Sequence, residues 1–395
     1  MTNNTNTKVM LSILAAMSIY LFAAAGGYMN PNIQTSIEAW PSVPADQIRL
    51  LNTLPALISL PVMLLVSSQI GKRINYKTAI LIGTVLILVG GVGPYFYAPS
   101  WNTVLAFRMI IGLGSGFFGI RTALLIHTVP KEKRARYLGL TGILSSLATT
   151  VISPITGSLA EISWRHPFLI NFFVIVIALA VGAFLIEPDH EQHAKDNAET
   201  PVDAKFPWMS LVYIAIQFIT TMTMYPMLSG ISTFMREQNL GTASVAGLAI
   251  SFYTLGGAMI GLILPKTQIW FGRRTQGVAL VLGAIGQLIV IFAPHAMIAW
   301  LGAFICGTGF ILIVNTFQLY NAKIAHPSKM ALGSTLLIAS MQAGVFASNY
   351  FISLSHIVIK ASSEVMSSYW ANVAIYAILA VFAITGFLAP KVDKK

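Results

Sequence analysis

Runs of about twenty apolar residues, parted by short clusters of charge, recur from one end of the chain to the other, and this spacing fixes the solvent in which it folds. An α-helix rises about 1.5 Å per residue, so about 20 apolar residues cross the ~30 Å hydrocarbon layer of a bilayer. Composition agrees: 56% of the 395 residues are hydrophobic and 9% are charged, against about 25% charged in a soluble domain. The chain reads as an all-α membrane protein with twelve transmembrane helices in two six-helix halves. In the first half the segments cover about 9–37 and 48–70, a third ending near Tyr97, a fourth at 101–125, a fifth after Lys131-Glu-Lys-Arg-Ala-Arg136, and a sixth ending near Ile186. The second half offers about 208–229, 242–264, 275–292, 296–320, 332–356 and 365–388. The halves are thus 1–187 and 207–395, with 188–206 a polar, acidic cytoplasmic linker.

The same features exclude other classes. Residues 9–22 followed by Ala23-Ala-Ala-Gly-Gly27 have the form of a signal peptide, but the apolar character resumes after Gly27, which favours a first helix with a bend at Tyr28-Met-Asn-Pro-Asn32. The formal charge of +11 is dispersed through connectors and forms no stripe for nucleic acid. Cys306 is a lone cysteine and closes no internal disulfide. His190 and His193 stand among linker carboxylates and make no metal site. No nucleophile, base and third partner sit in a recognisable arrangement, so no catalytic residues, cofactor or enzymatic activity are expected. Lys and Arg gather at Lys72, Arg73, Lys77, Lys131, Lys133, Arg134, Arg136, Arg273 and Arg274 on one side, whereas Arg49, Arg165, Arg236 and Lys360 lie on the other. The positive-inside rule then puts both termini in the cytoplasm of a cell-membrane protein.

The interior chemistry centres on Arg108, about two turns inside the fourth segment. A guanidinium in hydrocarbon costs several kcal/mol, so Arg108 must face protein or a watery cavity. It is a candidate both for substrate contact and for a structural or coupling role. Arg121 lies thirteen residues on, about 220° around the same helix, so it either snorkels to the cytoplasmic surface or meets ligand elsewhere. No Asp or Glu is left at mid-membrane; Glu38 and Glu161, near outer ends, are the only carboxylates placed to dip inward. Polar candidates for a substrate site are Tyr20 and Gln34, at heptad spacing with Gly27 on the first helix, and Asn30 beside them. In the second half they are Gln217 and Tyr225 on the seventh helix, Asn315 on the tenth, and Gln342 and Asn349 on the eleventh, where Thr335, Gln342, Asn349 and His356 draw a polar stripe. Gly112-x-Gly-x-Gly116 lacks the preceding strand of a dinucleotide loop, and Gly112 with Gly116 suits close helix packing.

A weak repeat links the halves, since Lys72-Arg-Ile-Asn-Tyr-Lys77 after the second helix is echoed by Trp270-Phe-Gly-Arg-Arg274 after the eighth. With Arg108, Gly112, Gly114 and Gly116 on the fourth helix, Arg134 and Gly139 after it, and Trp164-Arg-His-Pro-Phe-Leu-Ile-Asn171, the chain resembles the major facilitator superfamily of secondary transporters. The resemblance implies halves related by an axis along the membrane normal and a substrate near the midplane. Against the family motif after the second helix stand Ser68, Lys72, Asn75 and Lys77, so Lys72 replaces the usual aspartate, while Arg273 keeps its basic end in the second half. Ser153-Pro-Ile-Thr-Gly-Ser158 keeps the proline (Pro154) and one glycine (Gly157) of the antiporter motif on the fifth helix. Lys72, Arg273, Pro154, Gly157, Arg108, Arg121, Glu38 and Glu161 are therefore the coupling and gating candidates.

The first reading is a monomeric secondary active transporter that moves a small organic solute by alternating access, through proton-linked efflux of amphipathic compounds, supported by the resemblance and the partial motif on the fifth helix. Its partners would be that solute, the lipid bilayer and protons as the candidate coupling ion, with no nucleic acid. Interior arginine without interior acid favours a second reading, a carrier for an organic anion or other metabolite. A third, from a different class, is a transporter-shaped sensor or assembly protein.

Overall fold

A computed structural model describes residues 2–22, 27–130, 133–188 and 206–390. The expected linker, with His190 and His193, lies outside the described residues apart from its ends. Every described element is helical, and extended pairing is confined to one isolated bridge between Ile70 and Ile74. The chain divides into two compact units, Met1–Glu199 and Thr200–Lys395.

The first unit holds α1 (Thr2–Ser18), α2 (Ile33–Ala39), α3 (Ala45–Gln69), α4 (Tyr76–Phe96), α5 (Trp101–Phe117), α6 (Arg121–Thr128), α7 (Arg134–Ile162) and α8 (Val174–Phe184). The second holds α9 (Trp208–Ser229), α10 (Ile231–Glu237), α11 (Ala243–Phe271), α12 (Thr275–Ile291), α13 (Ala296–Ile324), α14 (Pro327–Ile359) and α15 (Glu364–Ile384). Local chemistry sets their ends. Ser100 and Ser363 cap α5 and α15 by accepting the Thr103 and Met366 amides at 3.3 and 3.2 Å. Gly71 and Gly272, at φ of 76° and 50°, turn the chain before α4 and α12, a conformation most side chains resist.

Ten helices among the described residues are long and apolar enough to cross a membrane, and one, Ala243–Ile291, runs to 49 residues. A shorter apolar helix covers Thr7–Phe22. Leu65, Leu179, Ile269 and Val381 stand 66% to 80% exposed, a surface that suits lipid and not water.

The units share one packing scheme. In the first, α5 lies between α3 and α4, and α4 also packs on α8; in the second, α13 lies between α11 and α12, and α12 packs on α15. Likewise α7 packs on the 3₁₀ stretches that follow and precede α1 and α2, as α14 packs on α9.

The first expected helix is not continuous. The chain passes from α1 into a 3₁₀ turn at Ile19–Phe22, and a second 3₁₀ stretch, Gly27–Asn32, contains Pro31. A 3₁₀ residue advances about 120° where an α-helical one advances about 100°, so the stretches 19–22 and 27–32 do not keep the pitch that a heptad face through Tyr20, Gly27 and Gln34 requires. The fourth expected helix is likewise broken by 3₁₀ geometry at Phe118–Ile120. The angle of about 220° expected between Arg108 and Arg121 fails for the same reason.

Candidate functional site

Arg108 is completely buried on α5, and its Nε donates to the Leu51 carbonyl at 2.6 Å. That carbonyl has a specific need. In a regular helix it would accept the amide of residue 55, but Pro55, inside α3, has none. The arginine satisfies an acceptor that the proline orphaned.

The glycines that follow keep Arg108 against α3. A Cβ on Gly112 would lie 2.6 Å from Ile58 Cβ and 3.1 Å from the Pro55 carbonyl; on Gly116 it would lie 2.5 Å from Val62 Cβ and 3.0 Å from the Ser59 carbonyl. Gly114 points elsewhere, its Cβ position 2.7 Å from the Gly83 carbonyl of α4. The arginine-and-glycines signature is therefore one helix face laid on α3, with one glycine turned to α4. Close packing by Gly112 and Gly116, expected from their spacing, is what the backbone uses.

Tyr20 and Arg121 meet inside the first unit. The Arg121 guanidinium carbon stands 5.3 Å from the Tyr20 ring centre, a cation–π distance, and the Tyr20 hydroxyl pairs with Thr122 Oγ1 at 3.0 Å. Asn30 is fully buried and accepts from Asn52 Nδ2 at 2.5 Å. Gln34 is half-buried and donates to the exposed Glu38 at 3.1 Å. Glu161 is exposed in the last turn of α7, while Gly157 is buried and Pro154 half-buried in the same helix. Neither Glu38 nor Glu161 reaches a buried position. Among the described residues the buried charged side chains are Arg49 and Arg108, and no carboxylate is buried.

Asn171, from the turn before α8, collects the Tyr28 hydroxyl and donates to the Gly91 and Phe168 carbonyls at 3.2 and 2.9 Å. Trp164 offers its carbonyl to Asn32 Nδ2 at 2.9 Å and packs its ring against Trp40 and Trp101. The Trp164 to Asn171 motif thus ties the first helix region to α4 and α8.

In the second unit Gln217 is buried and donates to Thr221 Oγ1 at 3.0 Å. Asn349 is buried, and Tyr225, Asn315 and Gln342 are half-buried. His356, at the far end of the α14 stripe, pairs through Nδ1 with Ser367 Oγ at 2.9 Å. These polar groups stand on α9, α13 and α14, as expected.

Two features of the connectors and helix starts were not foreseen. Glu187, at the end of the first half, accepts the Tyr76 and Lys77 amides at 2.7 and 2.9 Å and so caps α4. Lys72 is exposed in the turn before it. The corresponding turn of the second unit uses Arg273, whose Nη2 donates to the Gly386 carbonyl beyond α15 at 3.2 Å. Trp101 Nε1 donates to the Gln47 carbonyl, and Trp300 Nε1 donates to the Val245 carbonyl, each at 3.1 Å. The paired tryptophans bind the start of α5 to α3 and of α13 to α11. They set the repeat offset, which carries Arg108 onto Gly307, a residue pressed against the Tyr253 backbone.

Comparison with known proteins follows the same lines. The Major Facilitator Superfamily model matches residues 9–349. A "Probable sugar efflux transporter" of Helicobacter pylori (strain G27) is 24% identical over 304 residues, covering 75% of this chain and 74% of that protein. A protein of the same name from Haemophilus influenzae (strain 86-028NP) is 25% identical over 311 residues, 76% and 73% of the two chains. "MFS-type transporter pgmG" of Aspergillus terreus is 28% identical over 184 residues, 45% of this chain and only 31% of that protein. Among solved structures, a D-xylose-proton symporter superposes with a TM-score of 0.72 at 14% identity, covering 98% of this chain and 99% of the other. The nucleoside transporter NupG gives 0.75 at 12%, covering 96% and 99%. At such identities the likeness is one of fold.

Proposed function

Because this chain belongs to the Major Facilitator Superfamily, we propose that it is a secondary transporter that exports a small, polar, neutral organic solute of the sugar type by alternating access. The observation that carries the substrate class is the make-up of the interior. Asn30, Asn52, Asn171, Gln217, Gln287, Asn349 and Asn372 are buried, with many hydroxyls and no buried carboxylate among the described residues. Amides and hydroxyls suit a polyhydroxylated solute, and a lipophilic cation would find no counter-charge. The names of the relatives that cover most of this chain support the same class. Gln217, Tyr225, Asn315, Gln342 and Asn349 in the second half, with Tyr20, Asn30 and Gln34 in the first, are the proposed substrate contacts. The organic-anion reading would have to use the Arg108 guanidinium nitrogens other than Nε, which the Leu51 carbonyl holds.

In this reading twelve spans arise when Ala243–Ile291 is taken as two crossings and the Thr7–Phe22 segment as one. Residues 1–187 and 207–395 are the halves, a monomer suffices, and the Lys and Arg distribution supports cytoplasmic termini in the cell membrane. Proton-linked efflux of amphipathic compounds is the second reading, favoured by the half-buried Pro154 and the buried Gly157 of α7. It would have to couple through Glu38 or Glu161.

The test is efflux from proteoliposomes loaded with labelled sugars, an organic anion or a lipophilic cation, with and without an imposed pH gradient. Sugar efflux supports the proposal. Movement of the lipophilic cation alone would replace it with the second reading. Gradient-driven efflux unimpaired in the Glu38→Gln/Glu161→Gln double variant would remove both carboxylates from the mechanism.

A further inference from the structure

A proline in a membrane helix leaves one carbonyl without its amide, and in hydrocarbon that carbonyl must find another donor. In α3 the carbonyl is that of Leu51 and the donor is Arg108, 57 positions away, at 2.6 Å and with no exposed surface. Just past this bond, Gly112 and Gly116 bring α5 against the α3 backbone at Pro55 and Ser59. The related place in the second unit is built otherwise. There Gly307 abuts the Tyr253 backbone, and the single proline inside α11 is Pro265, far along the helix. One half holds a proline inside the helix with a charged donor to its orphaned carbonyl, while the other closes the same contact with glycine.

We propose that Arg108 is a positioning residue that takes the place of the amide missing at Pro55 and sets the bend of α3 during the transport cycle. It acts on the helix and does not touch the solute. The inference rests on the transporter reading above only for its kinetic part.

The test is a cycle of Arg108→Met, Pro55→Ala and the double variant, read by thermal melting of purified protein and by transport in proteoliposomes. Arg108→Met leaves the Leu51 carbonyl buried without its donor, and the melting temperature falls by about 4–8 °C. Pro55→Ala returns an amide to that carbonyl, so in its background the same Arg108→Met change costs less than half as much. Equal losses in both backgrounds would overturn the proposal. Pro55→Ala alone, which lacks no donor, keeps the fold and gives the kinetic test. A straightened α3 lowers the maximal rate at least 5-fold with KM within about 2-fold. An unchanged rate would overturn the role in the cycle, and so would a tenfold rise in KM for Arg108→Met, which marks direct solute contact. Wild-type protein that moves no solute would undo the transport reading, and the melting cycle would still decide whether Arg108 serves Pro55.

Discussion

Replacing Gly309 by alanine should loosen the second unit, and its geometry sets the size of the effect. A Cβ at Gly309 would lie 2.5 Å from the Gly283 nitrogen, 2.7 Å from the Ala279 carbonyl and 2.9 Å from Gly283 Cα. All three are backbone atoms of α12 that no rotamer change can move. Restoring an ordinary contact of about 3.4 Å requires α12 and α13 to part by roughly 0.5–0.9 Å, an overpacking that costs about 1–3 kcal/mol. Removing a mid-helix glycine returns about 0.5–1 kcal/mol; with all three clashing atoms fixed backbone the cost falls in the upper part of its range, about 2–3 kcal/mol, and the net loss is about 1–2.5 kcal/mol. For a unit of about two hundred residues that is a drop of about 2–10 °C in melting temperature. Gly261 on α11 is the control, since a Cβ there meets nothing within 4 Å; Gly261→Ala should melt at or slightly above the wild-type temperature. The protein carries its own reporter, because its one cysteine, Cys306, is fully buried in this unit. A thiol-reactive fluorophore therefore lights up as the core opens, and tryptophan emission gives an independent second curve. Gly309→Ala as stable as wild type, or Gly261→Ala equally damaged, would refute the backbone-contact argument.

Glu187→Ala should strip the start of α4 of both its side-chain acceptors, a capping loss of about 0.5–2 kcal/mol, and Glu187→Gln, which keeps one carbonyl acceptor, should lose less. Melting curves of the two variants check the order, and an unchanged Glu187→Ala protein would disprove the cap. Trp101→Phe and Trp300→Phe each delete one indole donor, about 0.5–1.5 kcal/mol apiece; because they sit in different units, the double variant should show their sum to within about 0.5 kcal/mol. A clear excess in the double variant would mean that the two clamps are not independent.

Much of this architecture is legible in the chain itself. Apolar run length announces the spans, and the bareness of Gly112 and Gly116 announces a close helix contact. The sequence also shows Pro55 within an apolar run and Arg108 as a charge in need of a partner, yet it does not connect them. Their pairing depends on the register of α3 against α5, and register is a property of packing. The continuous first helix failed for a local reason: Pro31 and the 3₁₀ turns flanking residues 23–26 override an apolar pattern that carries no information about backbone pitch. Glu187 reads in sequence only as the polar end of the first half, because a carboxylate at a helix end and one capping a distant helix have the same sequence signature. Tyr20 and Arg121, separate candidates in the sequence, meet just after a 3₁₀ turn at 118–120, a contact that spacing alone does not reveal.

The connectors before α4 and α12 do the same job in the two units. In the first a carboxylate from the end of the last helix reaches back to the opening amides of α4, and in the second a guanidinium from the connector reaches forward to the Gly386 carbonyl, which also accepts the Ala389 amide. The side chains are opposite in charge and come from opposite partners, but each ties the connector to the end of its own unit. What the two units share at this place is the tie itself, and the sign of the charge that makes it is free to differ.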